Sequence, residues 1–240
     1  MVPETSMGGS ERAFPQTRWT VIASSRSGAE ERGRALEELL AAYWKPLYFY
    51  ARRKGLSVED SKDAIQSFFA HLLSREFLER LDPGKGRFRS YLRASLDNFL
   101  VNRHEHEAAL KRGGGRRVLS LDFDAAEPAV PGASSPEQAF EREWALSVME
   151  RALGRLRAEF ESGERKGPFE LVRRFFDFAG APPSYEDAAR ESGMSVPALK
   201  AFLHRARLRF RELVKDEVRE TVSEGEPEAE VDELIRALRP

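Results

Sequence analysis

The residues in this chain best suited to chemistry are cations. From Lys200 to Arg211 the sequence carries Lys200, Arg205, Arg207, Arg209 and Arg211, with His204 among them and no acid. Guanidinium and ammonium groups gathered on one helix suit phosphate, the charge that dominates affinity for nucleic acid. The competing reading is an amphipathic helix with a solvated basic side. His104-Glu105-His106 is the nearest approach to a metal or acid–base cluster. Histidines two apart on a helix point about 200° away from each other, so they cannot share one metal as an i, i+4 pair can. No serine stands with a histidine and an acid at a recognisable catalytic spacing. Gly113-Gly114-Gly115 lacks the preceding strand and following helix opening that a phosphate cradle needs. The inventory points to binding rather than catalysis: no enzyme activity, no cofactor and no metal are expected.

The elements that must position the basic run can be read just before it. Ser184 with Asp187 makes a capping-box start for a short helix carrying Tyr185, Ala188 and Ala189. Gly193 falls where that helix must end and the chain must turn. Ser195 can cap the next helix, with Pro197 in its first turn, where a missing N–H costs nothing. Met194, Leu199, Phe202 and Leu203 recur at helical intervals and should pack the second helix on the first. This is a helix-turn-helix, and it leaves Ser195, Pro197, Ala198, Lys200, Ala201, His204, Arg205 and Arg207 as candidates to meet a duplex.

Composition bounds the rest. The 240 residues are 33% charged and 41% hydrophobic, with 39 Lys and Arg against 40 Asp and Glu. Near-neutral charge requires that any nucleic-acid binding come from segregated patches. There is no cysteine, which excludes disulfides and thiolate zinc sites and fits a cytoplasmic protein. No apolar run approaches a membrane span and no signal-peptide pattern opens the chain, so no membrane partner is expected.

Helical periodicity persists along the chain and no period-two pattern does, so the expected class is all-α. Residues 1–16 read as a disordered N-terminus. Residues 17–112 read as a first small helical domain. In it, Leu36 to Tyr50 is helical with a kink or break at Pro46, a capping box at Ser57 and Asp60 opens a second helix, and a third runs from about Phe88 to Lys111. The loop LDPGKGRFRS before the third helix is basic, and Lys85, Arg87, Arg89, Tyr91, Asn98, Asn102 and Arg103 together suit unstacked single-stranded bases. The alternative is that Tyr91 is core and the asparagines are simply solvated. Residues 113–135 read as a flexible linker, acidic at Asp122, Asp124 and Glu127. Residues 136–222 form the helix-turn-helix domain, started by Ser135 and Pro136. Residues 223–240 are an acidic C-terminal extension, whose charge is suited to folding back on the basic helix Lys200 to Arg211.

These pieces, in this order, resemble bacterial alternative sigma factors of the extracytoplasmic-function type, within the sigma-70 family. DAIQSFFAHLL, Asp63 to Leu73, is similar to the family's polymerase-binding helix. GRFRSYLRASLDNFLVNR, Gly86 to Arg103, is similar to the segment that melts and reads the minus-ten element, with Tyr91 where the family usually has tryptophan. LKAFLHRARLRFREL, Leu199 to Leu213, is similar to the helix that reads the minus-thirty-five element. The opening FPQTRW and the tail VDELIRALRP resemble a subgroup found in bacteria rich in serine/threonine kinases.

The resemblance implies a protein that binds core RNA polymerase, on its β and β′ subunits, and directs initiation at chosen promoters. It assigns polymerase contact to Asp60, Asp63, Gln66, Phe69 and Leu72, and promoter DNA to the two groups above. It implies an anti-sigma factor or a serine/threonine kinase as a further partner, and a linker that threads a basic channel of the polymerase. Phe202 departs from an arginine common in the family's reading helix, Pro197 and Ala201 are unusual there, and the stretch Gly163 to Pro183 is longer than usual. The rival readings are a stand-alone helix-turn-helix regulator and a helical adaptor that binds partners but no DNA.

Overall fold

A computed structural model describes residues 28–74, 88–102, 135–164, 167–176, 182–220 and 227–238. Among these residues the chain is all-α, with eight helices and no strand. They are α1 (Ala29–Arg53), α2 (Val58–Leu72), α3 (Phe88–Val101), α4 (Pro136–Glu161), α5 (Phe169–Phe176), α6 (Tyr185–Ser192), α7 (Val196–Arg219) and α8 (Pro227–Leu238).

Local chemistry sets several helix ends. Ser57 Oγ accepts from the Asp60 amide at 3.0 Å and donates to the Asp60 carboxylate at 2.7 Å, closing the start of α2. Ser135 Oγ accepts from the Gln138 amide at the head of α4, with Pro136 in the first helical position. One expectation needs correction: α1 runs helical straight through Pro46, with no break. Pro46 is buried there, and the packed surroundings hold the helix despite one lost backbone hydrogen bond.

α1 is the axis of the N-terminal half. From Pro46 to Ala51 every residue is buried, so this stretch has no solvent face. α2 and α3 cover part of it, and α4 lies along the rest. The α1–α4 contact is built on rings: Tyr43 stacks on Phe140 at 6.5 Å, Tyr50 meets Phe140 edge-on at 6.2 Å, and Tyr43 meets Phe88 edge-on at 5.3 Å. Each such side chain contributes about 2–3 kcal/mol by leaving water. α4 also carries α7 and α8 on its surface, and α6 packs on α7.

The described residues therefore share one hydrophobic cluster, running from Ala35 to Leu234. Helices assigned by sequence to two separate units meet within it. Of the residues expected to link them, 113–134 lie outside those described. Also outside are the expected disordered terminus, Trp19, His104, His106 and the end of the third helix beyond Asn102.

Candidate nucleic-acid interface

The helix-turn-helix has the expected local geometry. Ser184 Oγ accepts from the Asp187 amide at 3.1 Å and donates to its carboxylate at 2.7 Å, which holds the Asp187 carboxyl below its usual range, with Arg190 assisting. Gly193 adopts the left-handed conformation (φ 68°, ψ 17°), and the Met194 amide reaches back to the Ala189 carbonyl at 3.0 Å. Ser195 Oγ then caps α7 through the Ala198 amide at 3.3 Å. Ala188, Ala189, Leu199 and Leu203 are buried between the two helices, small residues on α6 allowing close approach.

The opposite face of α7 is open. Ser195, Pro197, Ala198, Lys200, Ala201, His204, Arg205 and Arg207 are all exposed, and the structure brings them onto one surface. Lys200 Nζ lies 5.3 Å from the centroid of the Tyr185 ring. Lys200, Arg205, Arg207 and Arg211 make no ion pair among the described residues, leaving their charge to solvent or a ligand. Two further residues join this surface beyond the candidates for duplex contact. Arg211 extends the positive charge, and Leu208, 49% exposed, lies between His204 and Arg211.

Arg209 does not belong to this surface. Its guanidinium grips Glu159 of α4 at 2.6–3.1 Å, and that bond holds it protonated even more firmly than usual. A cavity of about 420 Å³ lies beside it, lined by Glu159, Phe160, Glu164, Phe202, Arg205, Ala206 and Arg209. Phe202 is buried, edge-on to Phe160 at 6.0 Å, so it serves packing.

The second candidate group, on α3, is only partly assembled. Asn98 and Asn102 are exposed together, with Asn102 Nδ2 donating to the Asn98 carbonyl at 3.1 Å. Tyr91 is half-buried, and burial pushes its phenol up, opposed by a hydrogen bond with Ser95. Lys85, Arg87 and Arg103 lie outside the described residues.

Arg89 requires a correction. Expected on a basic loop facing DNA, it is buried, 4% exposed, at the start of α3. Its Nε lies 3.0 Å from Glu141 of α4, its terminal nitrogens bond Glu230 and Glu233 of α8, and its plane lies 4.2 Å from the centroid of Trp144. A guanidinium taken from water needs such partners, and the carboxylates supply them. The acidic extension thus folds back, but not as expected. α8 packs against α4 and α7, while Glu230 and Glu233 pair with α3 rather than with the outer face of α7.

On α2, Asp60, Asp63 and Gln66 are exposed, as a partner-binding role needs. Phe69 and Leu72 are not: both are in the core, at 1% and 0% exposure. They sit on the apolar stripe with Ala64, Ile65 and Phe68, and they hold α2 in place rather than meeting a partner.

Among the described residues no helix is long and apolar enough to cross a membrane, and no cluster of His, Cys, Asp or Glu could hold a metal ion. Comparison with protein-family models, with curated proteins and with solved structures finds no match to this chain.

Proposed function

We propose that this chain is an alternative sigma factor, a non-enzymatic cytoplasmic protein that binds core RNA polymerase and selects promoters. The observation that carries the reading is the capped α6–Gly193–α7 unit. It presents Lys200, His204, Arg205 and Arg207 on an open face of α7, in a run from Lys200 to Arg211 that holds no acid. A helix so presented fits the major groove of a duplex, with the N-terminal residues of α7 toward base edges and the later arginines toward phosphates. In support stand the three sequence segments that resemble the family in order, and the exposed polar face of α2.

In this reading Asp63 and Gln66 meet polymerase, and Asn98, Asn102 and Tyr91 meet unstacked bases of the melted minus-ten strand. Phe69 and Leu72 act through packing. Arg89 joins DNA contact only if its carboxylate partners leave. An anti-sigma factor or a serine/threonine kinase is a further proposed partner.

One observation favours a second reading, a stand-alone helix-turn-helix regulator: α1 and α4 share a single core, as one binding module would. Binding of the purified protein to core RNA polymerase separates the two. A stable complex, weakened in Asp63→Ala and Gln66→Ala variants whose melting is unchanged, supports the sigma reading. No complex, with tight binding of duplex DNA by the protein alone, supports the regulator.

A further inference from the structure

The contacts of α8 suggest a specific form of regulation. Its inner face buries Leu234 at 1% exposure, with Val231, Ala237 and Leu238 packed alongside. Glu230, also buried, and Glu233 both reach the guanidinium of Arg89. Their oxygens bond the fork of that guanidinium, as two phosphate oxygens would.

The charge at this place depends on whether α8 is seated. Arg89 and Arg93 supply two positive charges, and Glu141, which pairs with both, supplies one negative. With Glu230 and Glu233 added, three carboxylates pair with these two guanidinium groups. Without α8 two guanidinium groups are left with one carboxylate as a pair partner, and Arg89 lies over the ring of Trp144. Arg89 opens the helix that carries the exposed Asn98 and Asn102 further along, on its other side, and a cation over an aromatic ring is a pairing that single-stranded nucleic acid uses. Burying an ion cluster is a poor way to gain stability compared with apolar packing, and in some proteins such groups instead specify one of two arrangements.

We infer that α8 is a charge lock: Glu230 and Glu233 occupy Arg89 in place of the phosphates of a single DNA strand, and seating or release of α8 closes or opens that site. The inference deepens the proposed function, and rests on it only in naming α3 as a strand-binding helix.

The test compares the full chain with the Glu230→Gln/Glu233→Gln variant, which keeps the shape of α8 and removes its charge. Affinity for a single-stranded oligothymidylate and amide exchange over 227–238 are measured on the same preparations. The variant is expected to exchange faster in α8 and to bind the strand about tenfold more tightly, with a salt slope steeper by about one. Adding Arg89→Gln should return strand affinity to the wild-type level. Unchanged strand affinity in the double variant overturns the lock, whether or not α8 exchanges faster. If the double variant does not fold, Glu233→Gln alone, at the more exposed position, should give about a threefold gain, and no gain there is equally decisive. Duplex binding through α7 is followed in parallel. Its absence from the wild type would count against the proposed function, whereas intact duplex binding with strand affinity indifferent to α8 would remove this inference alone.

Discussion

Gly167 lies against the ring of Phe202: a Cβ placed on that glycine would stand 2.5 Å from Phe202 Cε2 and 2.9 Å from Cζ. Gly167, just ahead of α5, thus packs against the inner side of α7, where Phe202 has Phe160 behind it. Gly167 also has φ +123°, a conformation that L side chains rarely adopt. Gly167→Ala is therefore expected to lose about 1–3 kcal/mol from backbone strain, before any cost of displacing the ring. Phe202→Arg should destabilise the fold without tightening duplex binding, because the new charge starts in the core. Urea unfolding beside duplex titration checks both.

The open face of α7 can be tested through salt. Arg205→Ala and Arg207→Ala should each leave the melting midpoint nearly unchanged, since neither makes an ion pair among the described residues. Each should weaken duplex binding and lower the salt slope by about one if its guanidinium meets a phosphate. Arg209→Ala should do the reverse, costing stability through the lost Glu159 pair while leaving the slope alone.

The two halves of the proposed polymerase surface should behave differently when mutated. Phe69→Ala is expected to cost about 3–5 kcal/mol as a core truncation, and Gln66→Ala less than about 0.5 kcal/mol as a surface change. Urea midpoints decide this. A loss of polymerase binding in Phe69→Ala would then report on the fold of α2 rather than on a contact.

Glu143 gives a pH signature. It is buried on α4, and burial holds its carboxyl above the ordinary range, although Lys45 pulls the other way. The folded state therefore holds this proton more tightly than the unfolded chain. The stability that results is fully present below the unfolded value, near 4.5, and is lost as pH rises through the raised one. Glu143→Gln, which resembles the protonated form, should melt above wild type at neutral pH, with the gap closing as pH falls toward 4.5. Thermal melts across that range check it, and a gap that is constant with pH would refute the assignment.

Local rules make much of this protein legible in its sequence alone. The capping serines at 57, 135, 184 and 195, the left-handed Gly193 and the outer face of α7 all follow from interactions spanning three or four residues. Periodicity also separates the apolar stripe of α2 from Asp63 and Gln66. By that stripe alone Phe69 and Leu72 belong inside; the family resemblance places them outward.

What tertiary structure decided is which helix covers which. Arg89 looks like a loop cation in sequence because its partners Glu230 and Glu233 are 141 and 144 positions away. Arg209 reads as one of a basic run until Glu159, 50 positions earlier, takes it. Pro46 reads as a break until the packing around α1 buries it. A sequence shows which side of each helix is apolar, because that depends on the helix alone. It does not show which charge meets which across helices, because that depends on how α1, α4, α7 and α8 are laid together.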